Sequence, residues 1–116
     1  MLSALAHRYA RALVDVVTKP GSAVSSDQTT AQLAGFVATF QSSTELRNVL
    51  LSPAVAPIKK RAIIGEIASR LGISRPVQNF LYVVADHRRL NLLPELLAAF
   101  EDLLDERLGV VRAEVT

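Results

Sequence analysis

An apolar pattern of helical period, cut repeatedly by proline and glycine, constrains this chain more than any other feature. Pro20-Gly21, Pro53, Pro57, Gly72, Pro76, Pro94 and Gly109 punctuate it. Proline lacks the backbone N–H and crowds the preceding turn, so it opens or ends helices and is rare inside them; glycine after an apolar run marks a helix end. Between these points apolar residues return every third or fourth position, the period of an α-helix buried along one side. The pattern predicts an all-α fold, a compact bundle of about six helices, ahead of a short C-terminal tail.

The first helix is expected from Ser3, a good N-cap, to just before Pro20. After a polar loop over residues 21–26, a second runs from Asp27 to Gln41 with Leu33, Phe36, Val37 and Phe40 inward. Gly35 within it costs about 1 kcal/mol against alanine and is read as a close helix crossing. Thr44 caps a short third helix carrying Leu46, Val49 and Leu50, which Pro53 ends. Pro57 begins a fourth, with Ile63, Ile64, Ile67 and Leu71 inward and Gly72 past its end. Ser74 and Pro76 open a fifth that ends near His87 to Arg89. Asn91 caps a sixth, whose leucines and Phe100 fill one half of the wheel and whose carboxylates fill most of the other.

Two of these helices carry more apolar arc than one core requires. A helix on a single core needs a stripe of about 100° or slightly more. In the first, Leu5, Ala6, Tyr9, Ala10, Ala12, Leu13, Val14, Val16 and Val17 spread over roughly 200°. In the fifth, Val77, Phe80, Leu81, Val83, Val84 and Ala85 also cover about 200°, with Tyr82 apart from them. Side by side, the spare faces would form an exposed furrow suited to an amphipathic partner helix.

Composition narrows the function classes. Half of the 116 residues are hydrophobic and only 5% are aromatic, a balance carried by Leu, Ala, Val and Ile that suits packed helices. Cysteine is absent, which excludes disulfides, thiolate metal sites and cysteine nucleophiles. No apolar run approaches the about 20 residues of a membrane span, and no secretory leader is visible. The net charge is +2, but unevenly placed. Lys59, Lys60, Arg61, Arg70 and Arg75 face only Glu66, whereas Asp86 to Arg107 is dominated by acids, which hints at oriented docking.

Catalytic chemistry finds no footing. His7 and His87 both lie beside arginines on polar strips or helix ends, the carboxylates of the last helix read as a solvated face, and the glycines are scattered rather than gathered into a phosphate loop. No catalytic, cofactor-binding or metal-binding residue is assigned, and no cofactor is expected. Lys59-Lys60-Arg61 is read as a solvated first turn, or else as a contact for acidic protein or nucleic acid. The second reading supports the alternative of a small all-helical RNA- or DNA-binding regulatory factor. Against it, no aromatics interleave with the basic residues and the charge surplus is small. A small helical enzyme is a third class, for which no nucleophile, base or metal set is found.

Several runs together resemble one family. Ala6-His7-Arg8-Tyr9-Ala10-Arg11-Ala12-Leu13 looks like the opening helix of the delta (stator) subunits of bacterial F-type ATP synthases, whose mitochondrial counterpart is the oligomycin sensitivity-conferring protein. Leu46 to Pro53 followed by Lys59-Lys60-Arg61 is similar to that family's third-to-fourth helix connection. Asn79-Phe80-Leu81 through Arg89-Leu90-Asn91-Leu92-Leu93-Pro94, then Phe100 and Val110 to Thr116, is the most specific stretch. The likeness runs in order along nearly the whole chain.

That resemblance implies a helical N-terminal domain over residues 1–108, with residues 109–116 beginning a C-terminal domain otherwise missing. It also implies a non-catalytic subunit that caps the catalytic head and holds the N-terminal helix of an alpha subunit between its first and fifth helices. Tyr9 and Ala12 match the family's contact positions on the first helix, and Phe80 and Val83 those on the fifth; ordinary core is the competing reading for each. The absent domain would meet the b subunits of the peripheral stalk. Implied as well is a peripheral place on the cytoplasmic face of the bacterial plasma membrane, without direct insertion and without nucleic acid as a partner.

Overall fold

In the computed structural model, residues 4–19 and 25–108 are described. They form six α-helices: α1 (Ala4–Val17), α2 (Ser26–Ser42), α3 (Thr44–Leu51), α4 (Pro57–Leu71), α5 (Arg75–Asp86) and α6 (Leu93–Leu108), with a 3-10 turn at Leu90–Leu92 before the last. No strand occurs among the described residues. The expectations for Ser3 and for the tail at 109–116 lie outside them.

Caps set the boundaries. The hydroxyl of Ser25 accepts from the N–H of Gln28 at 3.0 Å, so α2 starts at Ser26, one residue before the expected Asp27. Ser43, not Thr44, caps α3 by accepting from the N–H of Leu46 at 3.1 Å. Both serines have extended backbone, which leaves the side-chain oxygen over the first turn; Thr44 is already helical. Pro57 stands in the first turn of α4 as expected. Gly72 follows it at φ 68°, where the N–H of Ile73 reaches the carbonyl of Ala68 at 2.9 Å. Asn91 does not cap α6: it lies within the 3-10 turn, which leads directly into Leu93.

The core is a single apolar cluster. α1 lies chiefly on α6, α4 on α5, and α2 crosses α6, while α1 and α5 touch more lightly. Ala6, Ala10, Leu13, Val14 and Val17 of α1 are buried, as are Leu93, Leu96, Ala99, Phe100 and Leu104 of α6. Leu33, Phe36, Val37 and Phe40 of α2 are all buried as their spacing predicts. Small alanines on α1 and α6 allow the two axes to approach, and Phe36 and Phe100 fill the space that remains. Arg107 of α6 ties the far end of this pair, donating to Asp15 at 2.8 Å and to the hydroxyl of Thr18 at 3.1 Å.

Three expectations about packing are corrected. Gly35 is not a close crossing, because a Cβ there would meet nothing within 4 Å. The close approach is at Gly65 of α4, where a Cβ would lie 2.9 Å from the hydroxyl oxygen of Tyr82 on α5. Leu71 is 44% exposed, since α4 ends at the glycine turn before its last residue comes back over the core. Finally, the basic run is not one solvated turn. Lys59 is exposed, Lys60 is buried, and Arg61 pairs with Asp86 of α5, because consecutive helical residues diverge by about 100°.

Candidate functional site: an apolar groove between the first and fifth helices

Two apolar stripes diverge on each of α1 and α5. On α1 the inner stripe faces α6; turned roughly 100° from it is a second row, Tyr9, Ala12 and Val16, with Leu13 shared between them. On α5 the inner stripe is Val77, Leu81, Val84 and Ala85, and the second row is Pro76, Asn79, Phe80 and Val83. The second rows face one another across an open groove of about 410 Å³. Each helix contributes residues at i, i+3, i+4 and i+7, the spacing that lines up side chains over two turns.

Exposure distinguishes this surface from core. Val16 is 47% exposed and Val83 is 44% exposed, while Tyr9 and Phe80 are half-buried against the cluster and Ala12 is open to solvent. Leu13 forms the floor, fully buried. A β-branched apolar side chain held half in water gains little for the isolated fold, so Val16 and Val83 are not explained by packing alone. Asn79 and the hydroxyl of Tyr9 are the polar groups of an otherwise apolar lining.

One end of the groove is fixed by a local network at the end of α5. The Tyr9 and His87 rings lie 6.2 Å apart between centroids and are tilted at 59°. The Nδ1 of His87 is 2.9 Å from the carbonyl oxygen of Val83, one turn back. On the opposite side of α5, Arg61 donates to both oxygens of Asp86, from Nε at 3.1 Å and from Nη2 at 2.5 Å. This hydrogen bond pulls the Asp86 carboxyl below the usual carboxylate range and raises the guanidinium of Arg61. Arg61 also stacks over the ring of Tyr82, 4.8 Å from its centroid, and the hydroxyl of Tyr82 accepts from Nε2 of Gln78. These contacts clamp α4 to the back of α5 and leave its front row unobstructed.

Tyr9, Ala12, Phe80 and Val83 are therefore all brought together on one surface. The sequence reading did not single out Val16, Pro76 or Asn79 as lining residues. The signal for Val16 was present, seven residues after Tyr9 on the same face; Pro76 was read only as a helix opener and Asn79 only as part of a polar strip. Among the described residues no group of three or more His, Asp or Glu side chains is arranged to hold a metal, and no helix is long and apolar enough to cross a membrane.

Comparison with known proteins agrees along the chain's length. A family model described as ATP synthase delta (OSCP) subunit matches residues 5–116. The ATP synthase subunit delta of Acidobacterium capsulatum is 36% identical over 99% of this chain and 63% of its own length. That of Koribacter versatilis is 40% identical over 94% of this chain and 60% of its own. That of Methylorubrum extorquens strain PA1 is 35% identical over 99% of this chain and 59% of its own. The chain thus spans somewhat less than two thirds of the relatives it matches.

Proposed function

The chain belongs to the ATP synthase delta (OSCP) subunit family, and from that premise we propose that it is the head-binding part of a non-catalytic stator subunit. In this reading it captures the N-terminal helix of an alpha subunit in the groove between α1 and α5. A C-terminal domain beyond these residues attaches to the b subunits of the peripheral stalk, so that the catalytic head is held against the torque of the rotor. The complex places the subunit at the cytoplasmic face of the bacterial plasma membrane, peripherally.

The groove is the observation that carries this reading. A stator contact needs a long lifetime rather than chemistry, and long lifetime comes from desolvating apolar anchors at the centre of an interface. Two rows at i, i+3, i+4 and i+7 match the repeat of an amphipathic helix laid between them. Tyr9 and Phe80 supply large contact area with few rotatable bonds, and Ala12 lets a partner backbone approach.

Titration of the chain with a peptide from the alpha subunit's N-terminus, followed by NMR, tests the proposal. Saturable shifts concentrated at Tyr9, Ala12, Phe80 and Val83 are expected. Tyr9→Asp is expected to abolish capture while helix content is retained. Binding that leaves those four positions unperturbed would move the site elsewhere. The nucleic-acid alternative predicts tight, steeply salt-dependent binding to RNA or duplex DNA, and dispersal of Lys59, Lys60 and Arg61 to three different environments argues against it.

A further inference from the structure

A second cavity, of about 150 Å³, lies where the end of α3 and the first turn of α4 meet the turn that follows α5. Its polar lining is Lys60, Arg88 and Asn91, and its apolar wall includes Leu50, Pro53 and Leu90. None of these residues lines the α1–α5 groove. We infer that this cavity is a binding site for a single carboxylate group.

Lys60 is the first reason. It is only 5% exposed, yet no ion pair or hydrogen bond joins its ammonium to another described residue. The stem is what is buried: the ammonium is not among the buried side-chain atoms that lack a partner, and it keeps contact with solvent at the cavity that Lys60 lines. A cation held there with no protein partner is available to an anion entering from solvent.

Arg88 is the second reason. It is the one non-glycine residue with positive φ among those described, at 59°. The turn is held by the N–H of Arg88 to the carbonyl of Ala85 and the N–H of Arg89 to the carbonyl of Val84, both 2.9 Å. The corresponding position after α4 is Gly72, at φ 68°. Using arginine where a left-handed residue is needed sacrifices stability, and such outliers gather at sites where the side chain has work to do. The outcome is a second cation in the lining of the same cavity.

Size and composition of the wall define the ligand. The volume equals the share of about five liquid water molecules, too small for a nucleotide or a helix. Two cations and an amide with no carboxylate in the lining call for an anion, and the leucine and proline wall suits a short aliphatic stem behind it. An acidic side chain of a docking polypeptide and a free small carboxylate share this chemistry.

The test is NMR titration of the chain with propionate, with inorganic phosphate, and with a short glutamate-containing peptide beside its glutamine counterpart. Propionate is expected to give saturable shifts confined to the neighbourhood of Lys60, Arg88 and Asn91. Lys60→Met, which keeps the stem and removes the charge, is expected to weaken binding at least about tenfold. Arg88→Ala changes only an exposed side chain and is expected to weaken it by about threefold or more, which keeps the test open should Lys60→Met not fold. Preference for the glutamate peptide over propionate identifies a polypeptide source, and equal or weaker binding identifies a free carboxylate; each supports the site. Shifts scattered over all basic residues, wild-type binding by both variants, or phosphate binding at least as tight as propionate would overturn the assignment.

Discussion

Arg88→Gly is expected to stabilise the protein. A left-handed backbone costs a non-glycine residue about 1–2 kcal/mol, because Cβ crowds the following carbonyl. Glycine removes that strain but has more freedom to lose from the unfolded chain, which returns roughly 0.4–1 kcal/mol. Arg88 is exposed, and its side chain makes no ion pair with another described residue that the change would forfeit. The net gain is about 0.5–1 kcal/mol, or roughly 2–4 °C in Tm for a chain of this size. Circular-dichroism melts and urea titration measure it directly. Gly72→Ala is the mirror experiment: at φ 68°, with nothing within 4 Å of an added Cβ, it isolates the same strain with opposite sign. A loss of about 1 kcal/mol is expected there. If Arg88→Gly leaves Tm unchanged or lowers it while Gly72→Ala destabilises, the Arg88 turn is not strained. Arginine at that turn would then cost no stability, and its backbone would give no sign of a site there.

The remaining predictions concern the clamp, the core and the groove. Gly65→Ala should cost about 1 kcal/mol despite the better helix propensity of alanine, since its Cβ would displace the Tyr82 hydroxyl from Gln78; in a Tyr82→Phe background the same change should cost less, read by a double-mutant cycle. Asp86→Asn should reveal the pH dependence of the Arg61 pair. The folded carboxyl is lowered, so its stabilisation is fully present above the unfolded value near 4 and is lost as pH falls through the folded value. The difference in Tm between wild type and Asp86→Asn should therefore close in acid and persist at pH 7. Leu96→Ala, at a fully buried position, should cost about 3–5 kcal/mol in urea unfolding. Val16→Asp, on a half-exposed position, should change stability by less than about 0.5 kcal/mol yet impair capture of the alpha-subunit peptide by calorimetry.

Local physics was legible before any coordinates. Helical period and its interruption depend on residues within about four positions of one another, which is why Pro57, Gly72 and Pro76 mark the bounds of α4 and α5. The doubled apolar arcs of α1 and α5 belong to the same category, because a wheel needs no neighbour to be drawn. Family membership followed from order and identity along the chain. Ser43 in place of Thr44, and the 3-10 turn in place of a cap at Asn91, are errors of one or two residues where adjacent polar groups compete for the same N–H.

What one-dimensional reading left undecided were the relations between distant residues. Gly35 and Gly65 look alike as glycines within helices, yet only Gly65 meets a neighbour, and that neighbour is on another helix. Lys60 reads as one of three equivalent cations until α3 and the turn before α6 close over it. Asp15 and Arg107 stand at opposite ends of the described chain and meet only because α1 and α6 pack together. The groove shares this origin: α1 and α5 each carried spare apolar surface, but only their placement side by side, with α4 clamped behind, made one furrow of it. Hydrophobic pattern determines which faces seek burial, whereas the pairing of faces is settled by shape and volume across the whole core.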